Sequence, residues 1–110
     1  MTRLLITTDT VGGVWQYATD LAGALVAHGI EPVLATMGPR PTASKRGALA
    51  KGVELVETDL SLDWLATGAH EVTDAGEGIA RLADIYRADI VQLNAPALAA
   101  TVRFDQPVVA

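Results

Sequence analysis

Cysteine is missing from all 110 residues, which excludes disulfides, thiolate metal ligands and a thiol nucleophile. Histidine is nearly missing as well. The two present, His28 and His70, are too few and too far apart for a metal site without help from carboxylates. Positive charge is scarce: 8 basic residues face 13 acidic ones, for a net charge of −5. With no basic stripe and no interleaving of aromatic and basic residues, nucleic acid is not an expected partner. Long apolar runs are also lacking. The N-terminus has one arginine and the short run Leu4-Leu5-Ile6 before polar residues resume, the pattern of neither a signal peptide nor a transmembrane segment. A cytoplasmic location is the default expectation. Repeats, low-complexity segments and interdomain linkers are not visible.

What the chain does have is apolar residues, 50% of the total, with only 19% charged and a positive mean hydropathy of +0.30. A chain of this length suits one domain with one real core, and this composition points to strands buried on both faces. Leu4-Leu5-Ile6, led in by Arg3 and followed by Thr7-Thr8-Asp9, reads as a first parallel strand. Apolar residues then recur at Val14, Ala18, Leu21, Ala22, Leu25 and Val26, a helical stripe that stops at His28-Gly29, where Gly29 fits a left-handed cap. Val33 to Thr36 reads as a second strand, followed by the breaker-rich loop Met37-Gly38-Pro39-Arg40-Pro41. Thr42 can cap a short helix running through Leu49, and Val53 to Glu57 alternates like a half-exposed edge strand. Helical spacing returns from Val72 to Tyr86. Ile90 to Leu93 forms a fourth strand that stops at Asn94-Ala95-Pro96. A short helix through Leu98 and Ala99 leads to Pro107, and Val108-Val109 begins a fifth strand. Alternating strands and helices with short connections predict an α/β fold: a Rossmann-like, doubly wound parallel sheet with right-handed crossovers. A strand starting at Val108 leaves a sheet edge uncovered, so residues 1–110 are expected to be a domain incomplete at its C-terminal end.

In open parallel sheets ligands sit beyond the carboxyl ends of the strands, at the turns after the first and fourth. The first such turn is Asp9-Thr-Val-Gly-Gly-Val-Trp15 and the second is Asn94-Ala-Pro96. Gly12-Gly13 lets backbone amides approach a ligand without obstruction, and the following helix aims its positive end at the same point. The dinucleotide pattern Gly-x-Gly-x-x-Gly and the P-loop ending Gly-Lys-Ser/Thr are both missing, which lowers NAD and ATP as ligands.

Thr7-Thr-Asp-Thr-Val-Gly-Gly-Val14, followed by an amphipathic helix ending His28-Gly29-Ile30-Glu31-Pro32-Val33, resembles the opening of the family 4 glycosyltransferases of GT-B fold. Ala35-Thr36-Met37-Gly38-Pro39 is similar to the second strand and loop of bacterial members, and Ala88-Asp89-Ile90-Val91-Gln92-Leu93-Asn94 to the family's fourth strand. The resemblance spans nearly the whole chain. It implies the truncated N-terminal, acceptor-side domain of a two-domain retaining enzyme that transfers a sugar from a nucleotide-sugar donor to a sugar or small-molecule acceptor, with no cofactor and no essential metal. The missing C-terminal domain would hold most of the donor. Gly12 and Gly13 would approach the donor's phosphates and sugar, Asp9, Val14 and Trp15 would line the acceptor side, and Asn94 would lie at the floor of the cleft. The family's catalytic groups come later than residue 110, so no catalytic residue is assigned and the chain alone is expected to be inactive.

Plainer roles compete for each residue. Gly12-Gly13 can be a tight turn, Trp15 and Tyr17 can pack, Asp9 and Asn94 can bond turn amides, and Asp63-Trp64 can anchor a loop. His28 suits a helix C-terminus, and His70 suits a surface or helix start. Arg40, Lys45, Arg46 and Lys51 form a basic cluster of a kind that is usually a solvated helix face, with an anionic acceptor or a lipid surface as the other reading. Two other functions fit the same residues: a stand-alone nucleotide- or sugar-phosphate-binding module, and a sugar-nucleotide epimerase of the same fold.

Overall fold

The computed structural model describes residues 2–10, 13–58, 60, 69–94 and 102–109, with 69–73 described by backbone alone. Their elements alternate in the order β1 (Arg3–Thr8), α1 (Gly13–Ala27), β2 (Glu31–Thr36), α2 (Ala43–Gly47), β3 (Glu54–Glu57), α3 (Ala69–Ile85), β4 (Ile90–Gln92) and β5 (Val108–Val109). The strands form one sheet in the order β3-β2-β1-β4-β5, and every neighbouring pair is parallel. The α/β class and the Rossmann-like winding expected from the sequence are therefore present. The expected helix through Leu98 and Ala99 lies outside the described residues, as do Asp63 and Trp64.

Period-two alternation sorts the central strands between two cores. Leu4, Ile6 and Leu34 point to one face and pack with Trp15, Ala18 and Ala22 of α1. Leu5, Val33, Ala35 and Val91 point to the other, where they meet Ala75, Ile79 and Ala83 of α3. Leu5, Ile6 and Leu34 are fully buried, and each such side chain contributes about 1.5–3 kcal/mol by leaving water. Small alanines on both helices let them lie close to the sheet, so the apolar excess in the composition goes into a two-sided central sheet.

Both α1 and α3 end in the same capping geometry. At the first, Gly29 donates to the Val26 carbonyl at 3.1 Å and Ile30 donates to the Leu25 carbonyl at 3.1 Å. Gly29 has φ 76, the left-handed conformation that glycine adopts without penalty. At the second, Arg87 donates to the Asp84 carbonyl at 3.2 Å and Ala88 donates to the Ala83 carbonyl at 2.8 Å. There the left-handed position is held by Arg87, with φ 54.

Several boundaries differ from the sequence pattern, and hydrogen bonding explains the clearest case. β2 starts at Glu31, two residues before Val33, and so includes Pro32. Glu31 donates its N–H to the Thr2 carbonyl on the β1 side, so the next residue's nitrogen turns toward β3. The β3 register begins only at Val33 paired with Glu54, and the N–H that proline lacks has no ladder partner to leave vacant. Thr42 caps α2 as expected, its hydroxyl accepting from the Lys45 N–H at 3.2 Å, but the helix stops at Gly47 instead of Leu49.

At the amino ends of the strands Arg3 gathers three elements. Its Nε and Nη2 donate to Glu31 Oε2 at 3.0 and 2.7 Å, and its Nη1 donates to the Tyr86 carbonyl at 2.7 Å, just past α3. The backbone of Arg3 also exchanges hydrogen bonds with Asp89, each 2.8 Å long. The hydrogen bond to Glu31 is the main reason its guanidinium pKa is raised further above the ordinary value.

Candidate site at the sheet switch point

The chain leaves β1 toward β2 on one side and returns from β3 to β4 on the other, so the connections after β1 and β4 diverge. A crevice at the carboxyl ends of these two strands is the geometric result. Asn94, two residues after β4, joins its two walls. Its backbone N–H donates to Thr7 Oγ1 at 3.1 Å and its Nδ2 donates to the Thr7 carbonyl at 2.9 Å. Asn94 is half-buried and Thr7 is buried. With Nδ2 held in place, the amide oxygen of Asn94 is left as the polar group of its side chain not engaged with Thr7.

Asp9 follows β1 directly and is half-buried. Its carboxylate atom Oδ1 is buried without a hydrogen-bond partner among the described residues, whereas buried polar atoms in folded proteins are as a rule satisfied. Thr10 is buried and donates its hydroxyl to the Pro39 carbonyl at 2.5 Å, and Lys45 Nζ donates to the Thr10 carbonyl. The turn after β1 is thus tied to the loop after β2 and to α2.

Gly12 lies outside the described residues. Gly13 is the exposed first residue of α1. A methyl group there would meet nothing within 4 Å and its φ is not positive, so neither packing nor backbone conformation requires glycine at this position. Val14 is half-buried beside it.

Trp15 is in a different position from the one its proximity to the glycine turn implies. Only 7% exposed, it is part of the α1 core with Leu4, Ile6 and Leu34. Lys45 Nζ lies 5.9 Å from its ring centroid, so the ammonium sits where a stacked ligand would have to be. Tyr17, read as structural, is 55% exposed, and its hydroxyl accepts from Gln92 Nε2 at 3.4 Å. His28 is exposed just beyond α1, and the side chain of His70 is not among those described.

The basic cluster on and around α2 is partly consumed internally. Lys45 turns inward to Thr10 and Trp15, while Arg46 pairs with Glu57 at 2.8 Å. Arg40 and Lys51 are exposed. Sequence reading missed Thr7 and Lys45 as positioning groups, because each acts on a residue far away in the chain. The strand-end series Thr7-Thr8-Asp9-Thr10 was the available signal, since hydroxyls at a buried strand end need partners.

Among the described residues no group of three or more His, Asp or Glu is arranged to hold a metal ion, and no helix is long and apolar enough to cross a membrane. No protein-family model matches the sequence, and no curated protein matches it. Among solved structures, the chain is similar to a glycosyltransferase from Rickettsia africae ESF-5, with a TM-score of 0.64 and 20% sequence identity over 90% of this chain. The chain corresponds to 25% of the length of that protein. At this identity the likeness establishes a shared fold: the five-stranded parallel α/β sheet described above is one that a glycosyltransferase also uses.

Proposed function

We propose that this chain is the N-terminal, acceptor-side domain of a retaining glycosyltransferase of GT-B fold that uses a nucleotide sugar. The observation that carries the reading is Gly13, a glycine required by neither packing nor φ at the start of a helix pointing into the switch-point crevice. The space left open by its missing side chain suits close approach of a phosphate or a sugar, and the α1 amino end supplies unpaired N–H groups and positive dipole there. Such fixed dipoles stabilise charge on a departing nucleotide diphosphate without reorganising. Asp9, Val14 and Asn94 then face the acceptor. Trp15 supports α1 from beneath and does not touch the substrate. The groups that complete catalysis lie partly after the fifth strand and partly in a second domain, and the chain alone does not transfer sugar.

The test begins with the intact mass of the natural gene product from its own cells. A product several times heavier than 11.5 kDa, which transfers sugar from one of a panel of nucleotide sugars, supports the proposal. In that product Gly13→Ala should raise the donor KM, with little change in thermal stability. A mass matching these residues alone would sink the transferase and leave a stand-alone nucleotide-binding module.

A further inference from the structure

A second concavity lies on the flank of α1 that faces α2, and neither Asp9 nor Asn94 lines it. It has a volume of about 260 Å³, the scale of one sugar ring with some of its water, and opens between α1 and the segment from α2 toward β3. Small residues make the room. Gly23 and Ala50 meet at its base, where a methyl on Gly23 would lie 3.4 Å from the Ala50 Cβ, and Ala24 and Ala48 form part of its walls.

Trp15, Leu49 and four polar side chains line the rest, the polar ones being Gln16, Thr19 and Asp20 from α1 and Lys45 from α2. Their existing bonds define what they can still offer. Gln16 Nε2 donates to Asp20 Oδ1 at 2.9 Å and the Thr19 hydroxyl donates to the Gln16 carbonyl at 3.2 Å. This leaves the Gln16 amide oxygen, the second Asp20 oxygen and the Thr19 oxygen as acceptors. Lys45 has one hydrogen on the Thr10 carbonyl, and two remain as donors. With one cation, Lys45, and one anion, Asp20, in its lining the cavity carries no net charge, so it does not call for a counter-ion. It calls for groups that both donate and accept, next to a surface of methyl and methylene groups.

We propose that this cavity binds a neutral polyhydroxylated ligand, a monosaccharide or the terminal unit of a longer glycan, at a site separate from the switch-point crevice. Hydroxyls are the groups that satisfy acceptors and donors together, and the C–H face of a sugar ring matches the alanine walls. The assignment does not depend on the transferase reading. Lys45 also bonds to Thr10, so an occupant of the cavity is felt at the turn after β1.

Amide-resolved NMR of the chain, titrated with glucose and separately with glucose phosphate and glycine, tests the assignment. Glucose should produce saturable shifts with millimolar half-saturation at Thr19, Asp20, Ala48 and the Trp15 indole, and a smaller shift at Thr10. Asp20→Ala should weaken binding about tenfold by removing a charged acceptor, and Ala48→Leu should abolish it by filling the cavity. Both positions are exposed, so both variants are expected to fold. No saturable shift up to roughly 100 mM glucose, equal titration of both variants, or saturation by the charged probes alone would overturn the proposal.

Discussion

Replacing Asn94 by aspartate changes one NH2 group to an oxygen at nearly constant shape, at the point where β1 and β4 are joined. In the native chain Nδ2 donates to the Thr7 carbonyl at 2.9 Å. In Asn94→Asp the ionised carboxylate cannot donate, and it faces a carbonyl oxygen in a half-buried setting. The lost bond costs about 1 kcal/mol, and holding two acceptors in contact brings the total to about 2–3 kcal/mol. That penalty applies only to the charged form, because a protonated acid restores the donor. At 1.36 kcal/mol per unit, the carboxyl's folded-state pKa should therefore lie about two units above its unfolded value of about 3.9. With the folded pKa raised, the penalty is absent below the unfolded pKa, grows as pH rises and is complete above about pH 6. Urea unfolding of wild type, Asn94→Asp and Asn94→Ala between pH 4 and pH 7 reads this directly. The aspartate variant should recover about 2 kcal/mol relative to wild type on going from pH 7 to pH 4, whereas the alanine variant should stay about 1 kcal/mol down at both. An aspartate variant whose deficit does not vary with pH would refute the bond between Asn94 and Thr7.

Three further outcomes follow from the same geometry. Arg87→Gly should stabilise the chain by about 0.5–1 kcal/mol, since it relieves a left-handed residue at the end of α3, while Arg87→Ala should gain nothing; thermal unfolding of the pair separates backbone strain from side-chain loss. Leu5→Ala, fully buried in the central strand, should cost about 2–5 kcal/mol in denaturant unfolding. Thr42→Ala removes the oxygen that caps α2 and should cost about 1 kcal/mol, with faster amide hydrogen exchange at Lys45.

The sheet was legible from sequence because its signals are local and repeated. Leu4-Leu-Ile6 and Val33-Leu-Ala-Thr36 are buried on both faces, and the helical stripe from Ala18 to Val26 ends at a glycine that takes the conformation a cap requires. Boundaries were harder, since they depend on partners: whether Pro32 belongs to a strand is decided by where β3 starts to pair, 22 residues later at Glu54. The candidate site was legible only as a location. The glycine turn and Asn94 could be found from strand ends alone, but the bond that ties Asn94 to Thr7 spans 87 positions. The burial of Trp15 reflects the helical phase of α1, in which Trp15, Ala18 and Ala22 share the sheet-facing side. Proximity to the glycine turn suggests an acceptor-facing Trp15, whereas its spacing three and seven residues from Ala18 and Ala22 is the signal for its burial.

The cluster around Arg3 gives the two rims of the sheet separate duties. Arg3, Glu31, Tyr86 and Asp89 knit the amino-terminal rim through side-chain and backbone bonds, while the turns bearing Asp9, Gly13 and Asn94 occupy the opposite rim. A domain so divided can exchange the loops on one rim without loosening the clamp on the other. Selection, or an engineer building a loop library, can therefore explore new ligands on this sheet while the clamp keeps the strands in register.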